Sequence, residues 1–278
     1  MEEKDRKEGL ASGEFYDNVG LLEEAQRYQT SERFLEILHT NFYSSDYLLS
    51  AGTGPRLLAT CCSVPRLYCG RDINPGSIHR AKEFVRDWKK YRDVEPFKTE
   101  FDFLEKKKLE IRFDNAGFSL KEAFPKTMDS SADGYLASEL FLHMSPEEVK
   151  ITLQEAQRTL YNSGRVVFTV YPTGKEDSLD KQFANLAGLA KIERKSIIKD
   201  GVINIQSLAR KIKSKNPQLY EDNKKRFWLD LQKIRVFQES QIEKMCKDVG
   251  LLLMDKEDVR CGMFPFAYRL VYSAQVIK

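Results

Sequence analysis

Five short apolar runs, at residues 45–51, 66–72, 109–116, 133–140 and 165–171, alternate with segments of helical period. That alternation constrains the fold more than any other feature. A strand that feeds a helix returns to its sheet in parallel, and a mostly parallel sheet needs helices over both faces. The fifth run, "RVVFTVY", is nearly all apolar, as a strand covered on both sides requires. The expected fold class is therefore α/β, with helices on both faces of the sheet.

The helices announce themselves by period and caps. Phe34, Ile37, Leu38 and Phe42 recur at helical spacing inside residues 14–43. Leu57, Leu58 and Ala59 open a helix after two glycines. Asn74 and Pro75 read as N-cap and first residue of another, with Ile78, Ala81, Val85 and Trp88 as its apolar face. A charged stretch, 92–108, is expected to be an inserted helix. The clearest helix spans 145–162. Ser145, Pro146 and Glu148 make a capping box, Val149, Leu153, Ala156 and Leu160 share a face, and Gly164 is expected as its C-terminal cap.

Residues 173–235 break the rhythm. Ile205, Leu208, Ala209 and Ile212 mark one helix, stopped at Pro217, and Phe227, Leu231 and Ile234 mark another. A helix around Ile242, Met245, Cys246 and Val249, capped by Gly250, then leads to two strands near 251–258 and 264–276, joined by a turn with Gly262. One domain over 1–278 follows: N-terminal helices (1–44), a core (45–172), a helical insertion (173–235), and a closing helix and strand pair (236–278).

Composition limits the partners. The chain has 278 residues and a formal net charge of +3, enough length for one sizeable core. The insertion carries 15 Lys or Arg against 8 Asp or Glu, leaving the remainder slightly acidic. A basic segment of this kind is either a solvated face or a means of attracting an anionic partner. No apolar run is long enough to span a bilayer, so no membrane partner is expected. The charged start "MEEKDRKEG" has no signal-peptide character. Five cysteines show no metal or redox spacing. A cytoplasmic protein with reduced thiols and no metal is expected.

The first strand runs into "LLSAGTGPRLLA" (48–59). Open α/β sheets bind ligands at the carboxyl ends of their strands. Gly52 and Gly54 lie there, and Asp72 follows Gly52 by 20 residues at the end of the second strand, where an acid accepts hydrogen bonds from ribose hydroxyls. Asp114 ends the third strand. A dinucleotide would want a third glycine for its pyrophosphate, and Leu57 stands there instead. A nucleoside without phosphates, such as S-adenosylmethionine, needs only the close approach and the ribose acid. Each feature also has a plain structural reading: an ordinary strand-to-helix turn for the glycines, a helix-dipole contact for Asp72 and a turn start for Asp114.

Taken in order, these motifs resemble those of class I S-adenosylmethionine-dependent methyltransferases, of the small-molecule type. "YLLSAGTGPRL" (47–57) is similar to the family's glycine motif, "GRDINPGSIHRA" (70–81) to its ribose motif, "RFDNA" (112–116) to its adenine-side motif, and 133–168 to its fourth strand, helix and fifth strand. The resemblance covers roughly 45–171 and, more weakly, 237–278. Leu48 stands where the family usually has an acid, and Ser50 where it usually has glycine. The resemblance implies a Rossmann-like, mostly parallel seven-stranded sheet with an N-terminal helical extension and the insertion as a lid. It implies S-adenosylmethionine as cofactor and S-adenosylhomocysteine as product. Cofactor contacts are expected at Tyr28, Ala51, Gly52, Thr53, Gly54, Asp72, Ile73, Asp114, Asn115 and Ser138.

Methyl transfer from a sulfonium chiefly needs alignment and exclusion of water, and a base only where the acceptor must lose a proton. His143, in "ELFLHM", is the candidate base, with a structural His before a helix cap as the alternative. Glu139 and Glu148 resemble the paired glutamates of protein-arginine methyltransferases only in type, and Glu148 is better explained as the capping partner of Ser145. No Pro-Pro or Pro-Cys pair occurs, so the motifs of base-amino and cytosine-C5 methylation are missing, and a nucleic-acid partner is not expected. A small acceptor, anionic or aromatic, is expected to meet Tyr16, Tyr171, Tyr220 and Trp228. The rivals are a non-catalytic S-adenosylmethionine-binding regulator, favoured by Leu48 and Ser50, and an RNA- or protein-methylating enzyme, favoured by the basic insertion.

Overall fold

The computed structural model describes residues 32–52, 67–72, 78–79, 81–83, 86, 110–114, 129–227, 233–260, 264 and 266–278. Helix α1 (Glu32–Phe42) buries Phe34, Ile37, Leu38 and Phe42, the four residues whose spacing predicts it. Strands β1 (Tyr47–Ala51), β2 (Leu67–Arg71), β3 (Glu110–Asp114) and β4 (Ala132–Ala137) follow. Ile78 and Ala81 are helical and buried, as expected of the segment after β2. Val85, Trp88 and the charged stretch 92–108 lie outside the described residues.

Helix α2 (Pro146–Thr159) starts on the expected capping box. The Ser145 hydroxyl accepts from the Glu148 N–H at 3.3 Å, and the Glu148 carboxylate accepts from the Ser145 N–H at 2.7 Å. Its far end differs from expectation. The helix stops at Thr159, whose hydroxyl folds back onto the Glu155 carbonyl, and strand β5 (Leu160–Val170) begins at once. Gly164 is therefore no helix cap but a strand residue. A Cβ there would sit 2.9 Å from the Leu160 Cβ and 3.2 Å from the Asp133 carbonyl oxygen. Glycine is needed for close passage past β4, next to Ser163 in the left-handed region.

The closing elements are α6 (Glu239–Asp248), β9 (Leu251–Val259) and β10 (Arg269–Val276). Gly250 has φ of +76°, the conformation expected of a residue just past a helix end; Gly262 lies outside the described residues. The seven strands form one sheet in the order β3-β2-β1-β4-β5-β10-β9. The β3-β2-β1-β4-β5 part is parallel, and β10 runs antiparallel to both β5 and β9. The order reverses beside β1, so the switch point lies between β1 and β4, where ligands of such sheets bind.

The insertion corrects the all-helical expectation. It holds α3 (Leu179–Leu189), a three-stranded antiparallel sheet of β6 (Ile198–Lys199), β7 (Val202–Asn204) and β8 (Lys233–Arg235), and helices α4 (Ile205–Lys215) and α5 (Pro217–Asn223). Ile205, Leu208, Ala209 and Ile212 are the buried face of α4, as the period predicts. Ile234 belongs to β8, pairing with Ile203, and not to a helix. A short buried strand shows the same apolar residues as a buried helix; Leu231, the other residue of that expected helix, lies outside the described residues. Pro217 does not only stop α4. Asn216 caps α5 by accepting from the Leu219 N–H at 3.0 Å, and Pro217 is the first residue of α5.

Two apolar clusters of buried residues are found among the described residues. One lies along the main sheet, with Leu49, Tyr135, Leu153, Phe168 and Tyr272 among its members. The other is built by Phe183, Leu208, Ile212 and Phe227 of the insertion together with Leu142, Tyr171 and Phe264 of the main body. The insertion is thus packed onto the body. Its base is pinned by backbone bonds from Phe237 N–H to Tyr171 and from Thr173 N–H to Phe237, at 2.9 and 2.8 Å.

Candidate functional site

The register places the expected cofactor residues side by side. Ala51 pairs with Arg71, and Arg71 with Asp114. Ser50 pairs with Leu136, which brings Gly52 level with Ser138 across the switch point. Adjacent strands lie about 4.8 Å apart, so the four strand ends make one continuous edge. Along it stand Ala51 and Gly52, then Asp72, then Asp114, with Ser138 on the other side.

Gly52 has φ of +62°, and an added Cβ would lie 2.7 Å from Leu140 Cδ1. Left-handed backbone and close approach both demand glycine here. Asp72 is buried at the end of β2. Leu48 and Ser50, the two departures from the family pattern, are both buried. Leu48 packs towards Gly134, where a Cβ would come within 2.6 Å of it. An acid at this position would face apolar packing. Tyr16, Tyr28, Thr53, Gly54, Ile73, Asn115 and Trp228 lie outside the described residues.

After β4 the chain makes a sharp 3-10 turn at Phe141–His143. Burial pushes the His143 imidazole down to about 4, so it is neutral at ordinary pH, and its Nδ1 meets no hydrogen-bond partner among the described residues. Tyr171 is buried at the end of β5, its ring edge-on to Phe264 with centroids 5.5 Å apart. Tyr220 packs against the cluster that the insertion shares with Leu142 and Tyr171 of the main body, stacked on Phe227 at 5.8 Å with Lys213 over its ring.

Beside these lies a charged pair that sequence reasoning did not bring together: it weighed Glu139 only against another family's paired glutamates and passed over Arg269. Glu139 pairs with Arg269 through Oε1, which also accepts from the Tyr171 hydroxyl at 3.3 Å. The Glu139 N–H donates to Thr169 Oγ1 at 2.8 Å. Arg269 is fully buried, and its guanidinium lies 4.3 Å over the Phe34 ring. Burial pushes the Glu139 carboxyl up, and Arg269 and Tyr171 oppose that. A signal existed: "AYRLVY" puts an arginine at the head of an apolar strand, and Glu139 directly follows "GYLAS". Their meeting depends on β10 lying beside β5 with its N-terminal end at the carboxyl edge, which the order of elements alone does not dictate.

No protein-family model matches the chain, and no curated protein sequence matches it either. Solved structures do. The chain is similar to an S-adenosylmethionine-dependent methyltransferase from Methanosarcina mazei (16% identity, 87% of this chain and 97% of that one, TM-score 0.56). It is also similar to the 1,6-didemethyltoxoflavin-N1-methyltransferase of Burkholderia thailandensis, solved with 1,6-didemethyltoxoflavin and S-adenosylhomocysteine (14% identity, 98% and 87% covered, TM-score 0.55). A third is the [4+2]-cyclase SpnF (13% identity, 95% of each chain, TM-score 0.56). The chain has the fold of the class I S-adenosylmethionine-dependent methyltransferases. Because one of the three neighbours is a cyclase, the fold leaves the reaction to be argued from the site.

Proposed function

We propose that this protein is an S-adenosylmethionine-dependent methyltransferase that acts on a small-molecule acceptor. The observation that carries the reading is the shared edge of Gly52, Asp72 and Asp114, in a sheet with this strand order. Gly52 would let the cofactor approach the backbone, Asp72 would hold the ribose hydroxyls, and Asp114 and Asn115 would border the adenine. Ala51, Thr53, Gly54, Ile73, Ser138 and Tyr28 complete the cofactor set. S-adenosylmethionine would supply the electrophilic methyl carbon. The protein's share is to align the acceptor and exclude water.

The insertion is the lid in this reading, and its packing on Leu142 and Tyr171 supports a place above the acceptor end of the crevice. Tyr16, Tyr171, Tyr220 and Trp228 are the acceptor candidates and His143 the candidate base. Because His143 is half-buried and neutral, it would accept a proton only briefly and pass it on. The buried thiols of Cys69 and Cys246 suit a reducing, cytoplasmic setting. Titration calorimetry with S-adenosylhomocysteine and with NAD tests the cofactor assignment. Binding of the first and not the second is expected, and tight NAD binding without a response to S-adenosylhomocysteine would overturn it.

A non-catalytic S-adenosylmethionine-binding protein is the second reading, favoured by the buried Leu48 in place of an acid. Cofactor binding without methyl transfer to any acceptor distinguishes it.

A further inference from the structure

Three polar atoms on the segment after β4 are buried and have no hydrogen-bond partner among the described residues: Ser138 Oγ, Glu139 Oε2 and His143 Nδ1. Buried polar atoms are nearly always paired, because desolvating one without a partner is costly. Three within six residues, all at the carboxyl edge beside Gly52, mark a surface built to be completed by something else.

Glu139 is the most demanding of the three. Its backbone is held at φ of +56°, a conformation unfavourable for a residue with a Cβ. Its N–H is anchored to Thr169, and one carboxylate oxygen is tied to Arg269 and Tyr171. Arg269 is itself fixed under Phe34. Several elements thus over-determine where one carboxylate stands, and no described residue pairs with its second, buried oxygen. A buried ion pair repays its desolvation only when its remaining lone pairs are also satisfied, and none of the described residues satisfies this one.

We propose that Glu139 recognises the methyl acceptor, that the acceptor is a nucleophile carrying its own donor, an amine N–H or a phenol O–H, and that Arg269 is the positioning residue for Glu139. The proposal rests on the methyltransferase reading above. A carboxylate oxygen accepts and cannot donate, so a carboxylate ligand would set acceptor against acceptor. The positive charge of the insertion does not compete for this place, since Arg210, Lys213 and Lys215 are exposed on α4. In the reaction, the acceptor lone pair forms a bond to the methyl carbon. The S–C bond breaks, and its electron pair goes to sulfur, leaving neutral S-adenosylhomocysteine. The acceptor atom becomes positive and releases its proton to Glu139 Oε2, which in this proposal replaces His143 as the first proton acceptor, and from there to water. Charge develops next to a fixed carboxylate, which is the arrangement that lowers a barrier.

Three probes with a common aryl body separate the possibilities: 2-phenylethylamine, 4-ethylphenol and 3-phenylpropanoate. S-adenosylhomocysteine formation from S-adenosylmethionine is followed for each. Turnover of the amine or the phenol, and none of the carboxylate, is expected; which of the two reacts identifies the attacking atom. Glu139→Gln should lower kcat/KM for the accepted probe at least tenfold, while the Kd for S-adenosylhomocysteine stays within twofold. Arg269→Lys should raise KM more than it lowers kcat, a split that loss of structure would not give. If Glu139→Gln does not fold, the charge-free double variant Glu139→Gln, Arg269→Met is used and carries the same expectation. Faster turnover of the carboxylate, no turnover of any probe by a protein that binds S-adenosylhomocysteine, or unchanged kcat/KM in the variant would overturn the proposal. Absence of S-adenosylhomocysteine binding in the unaltered protein would instead overturn the methyltransferase reading.

Discussion

His143 is half-buried, with its imidazole held neutral by desolvation, and that makes stability depend on pH in a calculable way. Burial lowers its folded-state pKa to about 4, against an ordinary value of 6.5. The unfolded chain therefore takes up a proton at a higher pH than the folded one. The stabilisation is fully present above about pH 6.5 and is lost as pH falls towards 4, below which this group adds no further loss. A tenfold difference in proton affinity between folded and unfolded chains corresponds to about 1.4 kcal/mol, so the loss between pH 7.5 and 4.5 is about 2–3 kcal/mol. Urea unfolding of the unaltered protein and of His143→Gln across that range isolates the effect, because the rest of the chain titrates in both. The stability difference should move in favour of the variant by that amount as pH falls. Parallel pH dependences would mean that His143 titrates as an exposed histidine, and both its burial and its candidate role as a neutral base would fail.

Gly52→Ala should cost about 1–2 kcal/mol from left-handed backbone alone, plus the displacement of Leu140 Cδ1 from 2.7 Å. Urea unfolding in a Leu140→Ala background should remove the second part and leave the first. Asp72→Ala should weaken S-adenosylhomocysteine binding about tenfold or more, since charge-assisted hydrogen bonds contribute about 1.5–3 kcal/mol each; calorimetry checks this, and an unchanged Kd in a folded variant rules out the ribose role. Gly201→Ala would drive a Cβ to 2.8 Å from the Val236 carbonyl oxygen at φ of +73°. It should loosen the base of the insertion, lowering methyl transfer at least tenfold with S-adenosylhomocysteine affinity nearly intact. Arg269→Met should destabilise by about 3–5 kcal/mol by stranding Glu139, and adding Glu139→Gln should recover much of that in the same unfolding assay.

The parts of the fold that the sequence made legible are those set by local rules. The buried face of α1, the capping box at Ser145 and the five alternating strands each follow from period or cap chemistry, which need only neighbours in the chain. The errors arose where the deciding partner is distant. Gly164 looks like a helix cap until the Asp133 carbonyl is seen against it. Ile234 fits a helix until Ile203 pairs with it in a sheet. At the site, the line from Gly52 to Asp114 was readable because consecutive strand ends share an edge. Glu139 and Arg269 were not, because 130 residues separate them and a crossing from β5 to β10 brings them together.

The central claim, that this fold binds S-adenosylmethionine in order to transfer its methyl group, is tested most directly by one isotope experiment. The protein is incubated with methyl-labelled S-adenosylmethionine and a pool of small amines and phenols, and the label is followed by mass spectrometry. Label appearing in a small molecule, with an equal amount of S-adenosylhomocysteine and loss of both in Asp72→Ala, is the predicted result. Tight cofactor binding with the label remaining wholly on S-adenosylmethionine would contradict it.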